Sequence, residues 1–192
     1  MKSLVSIFVT LLGLTVVALA QPAGPQQSMP TGKAFLSKVA KINLTEIELG
    51  KLAEQKGNNQ AVQDFGKRMV ADHSKAQVKL EQVAKQEGVA LPKHAGTEAA
   101  GLEKQLSSQS GERFDEMYMG HMLEGHKQAV AMIENEIEHG RNSTIKTYAE
   151  SCLPVIQDHV RIAEDVAGKM GMAGKSGLDD PYKAITVAGV PK

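Results

Sequence analysis

Four residues with metal-binding side chains lie on the apolar faces of four predicted helices: Glu46, His73, His126 and His159. Three neutral imidazoles and a carboxylate suit Fe, Mn, Zn or Cu, and the cores of helical bundles are a known location for such sites. The same residues could instead form a structural polar layer, hydrogen-bonded internally, that fixes the register of the helices. The sequence therefore indicates a candidate transition-metal site and a structural alternative.

The helices that must position these residues are predicted from the recurrence of apolar residues at about 100° per residue. Four long helices are expected at about 33–56, 60–87, 111–139 and 143–170, with a short helix at about 97–108. Short turns follow the first and third long helices, and a longer connection joins the two pairs. The sequence thus predicts an all-α fold, an antiparallel four-helix bundle made of two helical hairpins with a short extra helix in the central connection.

The turns also give the depth of each polar residue in the bundle. Glu46 lies about 12 residues before the first turn and His73 about 15 after it, which places them roughly 18 and 22 Å from that end. His126 and His159 lie about 15 residues before and about 18 after the second turn. We therefore expect all four side chains near the middle of the bundle.

The two ends of the chain differ from this helical region. Residues 1–20 contain Lys2, an apolar run and a small-residue cleavage site at Ala18-Leu19-Ala20, which are typical of a cleaved secretory signal peptide. Residues 21–32 are rich in Pro, Gly and Gln and predict a linker. The bundle domain is expected at 33–171, and residues 172–192 predict a flexible tail.

Composition excludes several classes of protein. Lys and Arg together number 22 and Asp and Glu also 22, so no basic surface indicates nucleic acid binding. No stable membrane span is expected after signal cleavage. Cys152 is the only cysteine, so the chain has no internal disulfide. The sequence specifies no protein partner and leaves a homo-oligomer open.

The sequence also makes local predictions for three acidic residues on the helices. Asp115 and Tyr118 share the inward side of their helix, which predicts a hydrogen bond between them. Asp72 and Asp158 each precede a histidine, and each could accept a hydrogen bond beside a metal site or face solvent.

The chain resembles the bacterial family named domain of unknown function 4142. The resemblance is carried by stretches that span about 33–170: Glu46-Ile-Glu-Leu-Gly-Lys-Leu-Ala53, Phe65-Gly-Lys-Arg-Met-Val-Ala-Asp72-His73, Phe114-Asp115-Glu-Met-Tyr118, His126, and Leu153-Pro154 before His159. It implies a ferritin-like bundle in a secreted or envelope protein and brings no established activity.

Ferritin-like diiron proteins carry Glu-x-x-His on two helices. Here Val70 and Ile156 stand three residues before His73 and His159, so a diiron centre is not expected. The sequence predicts a periplasmic or secreted protein that binds a transition metal through Glu46 and the three histidines. The alternative is a non-catalytic envelope or stress-related interaction protein with a structural polar core. No catalytic motif is present, and a metal-dependent oxidoreductase is the lesser alternative.

Overall fold

Five α-helices account for most of the described chain. The computed structural model describes residues 29–172, where α1 spans Lys33–Lys56, α2 Gln60–Gln86, α3 Thr97–Ser107, α4 Gly111–His139 and α5 Ser143–Lys169. No strand occurs in this range, so the all-α prediction is confirmed. The predicted signal peptide, the linker up to residue 28 and the tail from residue 173 lie outside the described residues.

The helix ends follow from local hydrogen bonds. The side chain of Asn59 accepts from the backbone N–H of Ala61 at the start of α2, and Asn142 accepts from Ile145 at the start of α5. Such caps satisfy backbone N–H groups that have no partner within the first turn of a helix. Each cap immediately follows a short turn, so the hairpins reverse direction sharply.

The four long helices form a bundle in which each borders two others. The most extensive contacts join α1 to α2 and α4 to α5, and further contacts join α2 to α5 and α1 to α4. Asn43 is bonded to Gln77 while Gly50 lies against Gly66, so α1 and α2 run in opposite directions. The short helix α3 packs on α1 and α4.

Glycine lets the backbones of α1 and α2 approach closely at one point. A Cβ atom at Gly50 would lie 2.8 Å from the carbonyl oxygen of Gly66, and one at Gly66 would lie 2.7 Å from that of Gly50. Any larger residue at either position would push the helices apart. This contact therefore sets the spacing of the first hairpin.

The helix α4 is joined to both ends of α1 by buried carboxylates. Asp115 accepts hydrogen bonds from the backbone N–H groups of Asn58 and Asn59 at 2.9 and 2.8 Å, and Glu136 accepts from that of Gly32 at 2.7 Å. The Tyr118 hydroxyl has no hydrogen-bond partner among the described residues, so the predicted bond between Asp115 and Tyr118 is wrong. The carboxylate instead pairs with two backbone donors at the start of α2, where a negative charge is also favoured by the helix dipole.

Two apolar clusters fill the bundle, one toward each end. One lies toward the α1–α2 turn and contains Leu49, Ala53, Val62, Phe65, Met69, Leu102, Leu106, Phe114, Met117, Tyr118, Met119, Met122, Ala163 and Val166. The other lies toward the α4–α5 turn and contains Phe35, Leu36, Val39, Ala40, Leu80, Ala129, Met132, Ile133, Ile145, Tyr148, Ala149 and Ile156.

A buried polar layer separates the two clusters on all four long helices. Its members are Asn43 and Glu46 on α1, His73 on α2, His126 on α4 and His159 on α5. Each lies in sequence between residues of one cluster and residues of the other. The bundle therefore places these polar residues at its middle.

Candidate metal centre

Three of the four candidate residues meet in this layer. One nitrogen from each of His73, His126 and His159 belongs to a set whose atoms all lie within 4.8 Å of one another. The ring centres are 5.3–5.7 Å apart. No more than 2 % of each histidine is exposed, so bulk water does not solvate these rings.

In two of these rings, one nitrogen lies within hydrogen-bond distance of a protein oxygen atom. The Nδ1 atom of His126 lies 2.7 Å from the carbonyl oxygen of Met122, one turn earlier on α4. The Nε2 atom of His159 lies 3.1 Å from a carboxylate oxygen of Asp72, which belongs to α2. Both oxygens can only accept, so each of these nitrogens must carry the proton and donate it.

The ring of His73 is held by an amide. Its Nδ1 atom lies 3.0 Å from the side-chain oxygen of Asn43. The amide nitrogen of Asn43 donates to Gln77 at 3.3 Å, which leaves the amide oxygen facing the histidine. His73 therefore also donates through its outer nitrogen.

The remaining three nitrogens are lone-pair acceptors without a donor. Nε2 of His73, Nε2 of His126 and Nδ1 of His159 are buried and have no hydrogen-bond partner among the described residues. A neutral imidazole that donates through one nitrogen presents a lone pair at the other. Leaving a buried polar atom unpaired costs about 1–3 kcal/mol, and each of the three clustered rings carries one such atom.

Burial keeps these rings neutral. It lowers the pKa of His73 well below its ordinary value, and the neighbouring His126 and His159 lower it further. Burial, together with His159, lowers the pKa of His126 to about 3. Burial also lowers the pKa of His159, against the opposing effect of Asp72. The neutral imidazole is the form that binds a metal.

The spacing of the three nitrogens suits a metal after a small contraction. Metal–imidazole bonds of about 2.0–2.1 Å in tetrahedral geometry require ligand nitrogens about 3.4 Å apart. From a separation of 4.8 Å, each nitrogen would move inward by roughly an ångström or less. The donor set and its geometry therefore fit a metal site with three histidine ligands.

Glu46 lies in the same layer but outside this set. Since Asn43 contacts His73 and Gly50 lies against Gly66, the register of the two helices puts Glu46 at the level of Val70, about 4.5 Å along the bundle from His73. Its Oε2 atom is buried without a hydrogen-bond partner among the described residues, and burial raises its pKa to about 8. Burial raises the pKa of Tyr118, and the nearby Glu46 raises it further.

The residues that hold the rings were only partly foreseen from the sequence. Asp72 contacts His159 on the other hairpin and not its neighbour His73, whereas Asp158 forms ion pairs with Arg68 and Arg161 at the surface. Asn43 was not a candidate. Its signal in the sequence is an amide on the apolar face of α1, one turn before Glu46.

One family model matches most of the chain. The family model described as Domain of unknown function (DUF4142) matches residues 17–166, which include the whole histidine site. The chain belongs to this family. No curated protein and no solved structure gives a significant match.

Proposed function

We propose that this protein binds one transition-metal ion through Nε2 of His73, Nε2 of His126 and Nδ1 of His159. The observation that carries the proposal is that each of the three histidines offers a nitrogen within 4.8 Å of the others, and each has one buried nitrogen without a hydrogen-bond partner among the described residues. Their opposite nitrogens are already held by oxygen acceptors. Fixing the tautomer and ring orientation of a histidine in this way is the usual arrangement around a bound metal.

The donor set favours some metals over others. Imidazole suits Zn, Cu, Fe and Ni, whereas Mn prefers carboxylate, carbonyl and water ligands. Three histidines leave a further coordination position, as in sites where a metal acts on a water or a substrate. Glu46 is the candidate for that position, since its buried carboxyl group has an unpaired oxygen about one turn away, and a bound cation would favour loss of its proton.

Metal loading of the untagged protein tests the proposal. Protein stripped with a chelator and reloaded separately with Zn, Cu, Fe, Ni or Mn should retain about one ion per chain for at least one metal, measured by elemental analysis after desalting. At a free metal concentration of about 100 times Kd, binding to the native state adds about 2.7 kcal/mol. The melting temperature should then rise by roughly 5–11 °C.

The double variant His73→Ala/His126→Ala should lose both the ion and the shift in melting temperature. The double variant His94→Ala/His139→Ala is the matched control, because both of these histidines are exposed and should not affect loading. A native protein that retains none of the five metals would refute the proposal and favour a structural polar layer. Equal loading of the two double variants would show that metal binds elsewhere.

We also propose that the protein is ferritin-like and acts in a bacterial envelope or is secreted. The apolar run and the cleavage site within residues 1–20 support export, and no helix in the described range is long and apolar enough to cross a membrane. Expression of the full chain in a Gram-negative host should give a periplasmic product that begins at Gln21. A cytoplasmic product that retains its first twenty residues would contradict this assignment.

A further inference from the structure

The strongest feature outside the histidine cluster is a cavity beside it. A cavity of about 140 Å³ lies within the bundle, and both His73 and His159 line it. Side chains of α1 and α4 form its inner wall, among them Phe35, Met132 and Ile133, all buried in the cluster toward the α4–α5 turn. The cavity therefore joins the apolar core to the polar layer.

Its mouth lies between α2 and α5. The exposed residues that line the cavity are Lys75, Lys79, Ser151 and Val155, and all four belong to these two helices. Ala76 and Cys152, also in the lining, are small residues on the same two helices. Small side chains on both sides leave an opening between α2 and α5, so the cavity can exchange its contents with solvent.

The size and chemistry of the wall define what can bind. A cavity of about 150 Å³ lined by aliphatic and aromatic side chains accepts a molecule of the size of benzene. Here the wall is mainly apolar, but the buried Tyr148 hydroxyl in the lining makes no hydrogen bond of regular geometry, and the side chains of Asn43 and Cys152 lie beside it. The unpaired nitrogens of His73 and His159 are on the same lining residues.

We propose that this cavity binds a compact, uncharged molecule made of one ring and one hydroxyl group, of the class of the simple phenols. The ring occupies the apolar space between α1, α4 and the mouth. The hydroxyl group pairs with one of the unpaired polar atoms of the wall. Binding to the cavity does not require the metal, whereas the position of the occupant beside a metal ion rests on the proposed function above.

Ligand-observed NMR with benzene and phenol tests the cavity in metal-free protein and in protein loaded with Zn²⁺. Phenol should bind with a Kd below about 1 mM. Benzene should bind about tenfold more weakly, the effect of losing one net hydrogen bond. Binding should occur with and without the metal.

Two variants narrow the cavity and leave all three histidines in place. Ala129→Leu at the buried wall and Ala76→Leu near the mouth should each weaken phenol binding at least tenfold while metal loading is retained. Ala131→Leu is the control, since Ala131 is exposed and does not line the cavity. If Ala129→Leu does not fold, Ala76→Leu decides the outcome.

The two proposals fail in different ways. Absence of phenol binding in both metal states, or equal binding by wild type and the cavity-filling variants, would overturn the cavity proposal whatever the metal content. If the protein binds phenol but retains none of the five metals after loading, the cavity proposal is supported and the failed loading refutes the metal site.

Discussion

At the scale of single residues, the site depends on which nitrogen of each imidazole carries the proton. The carbonyl oxygen of Met122 and the carboxylate of Asp72 fix this for His126 and His159. The three histidines could be predicted from sequence because each lies on an apolar helix face. Asp72 could be named as a candidate acceptor but its partner could not, and Asn43 was not a candidate, since both act on histidines of other helices and that pairing depends on how the helices pack.

Asp72 should act as a positioning residue for the metal site. Asp72→Ala removes the acceptor that holds Nε2 of His159, so metal affinity should fall about 10–100-fold. Asp72→Asn retains a side-chain oxygen that can accept the same hydrogen bond, and most of the affinity should return. Competition titration with a chelator gives the Kd, and the visible spectrum of the Co²⁺ or Cu²⁺ form should change in Asp72→Ala because the ring orientation changes.

Asp158→Ala is the matched control for this substitution. Asp158 and Asp72 both pair with Arg68, but Asp158 has no hydrogen bond to a histidine. Its removal should leave the Kd and the metal spectrum unchanged. A similar loss of affinity in Asp158→Ala and Asp72→Ala would show that the surface ion pairs, and not the bond to His159, support the site.

At the scale of the helices, the sequence predicts the elements closely and their packing poorly. Asparagine caps and terminal glycines are local signals, so the predicted bounds differ from the observed ones by about one residue. The contact between Gly50 and Gly66 cannot be predicted from such local signals. Nothing near either glycine shows that it faces another backbone, because the register of α1 on α2 is set by the whole hairpin.

Gly50→Ala should therefore destabilise the protein although alanine favours helix. The new Cβ would approach the backbone of α2, and overpacking typically costs about 1–3 kcal/mol. The gain in helix propensity offsets up to about 1 kcal/mol of this. The free energy of unfolding from urea denaturation, measured in metal-free protein, should fall.

Gly101→Ala, within α3, is the control and should raise the free energy of unfolding instead of lowering it. A Cβ atom there meets nothing within 4 Å, so only the helix propensity changes and stability should rise by about 0.5–1 kcal/mol. If Gly50→Ala also gained stability, α1 and α2 would not be in close backbone contact at this level.

At the scale of the whole molecule, the polar layer and the cavity lie between two hairpins that must keep a fixed separation. The helix α4 holds the first hairpin at both ends, through Asp115 at the turn and Glu136 at Gly32. The sequence identified Asp115 as inward but gave it the wrong partner. Backbone donors carry no sequence signature, so a carboxylate that pairs with a turn is visible only in the assembled fold.

Substitution of Asp115 should lower the free energy of unfolding by an amount that depends on how many acceptor atoms remain. Asp115→Ala leaves the N–H groups of Asn58 and Asn59 without their acceptor, and each unpaired donor should cost about 1–2 kcal/mol. Asp115→Asn retains one acceptor oxygen and should lose about half as much. Urea denaturation of metal-free protein at constant pH measures both, and Glu112→Ala, an exposed acidic residue in the first turn of α4, should stay within about 0.5 kcal/mol of wild type.

Measuring metal affinity should distinguish the role of the Asp115 connection from that of the metal site itself. Asp115 contacts none of the three histidines. The folded Asp115→Ala protein should therefore bind metal with the Kd of the wild type, even though it unfolds at a lower urea concentration. Asp72→Ala should show the reverse, a weaker metal site with a smaller change in the stability of metal-free protein. Loss of metal affinity in Asp115→Ala would mean that the separation of the hairpins, and not only the orientation of the rings, determines the spacing of the three nitrogens.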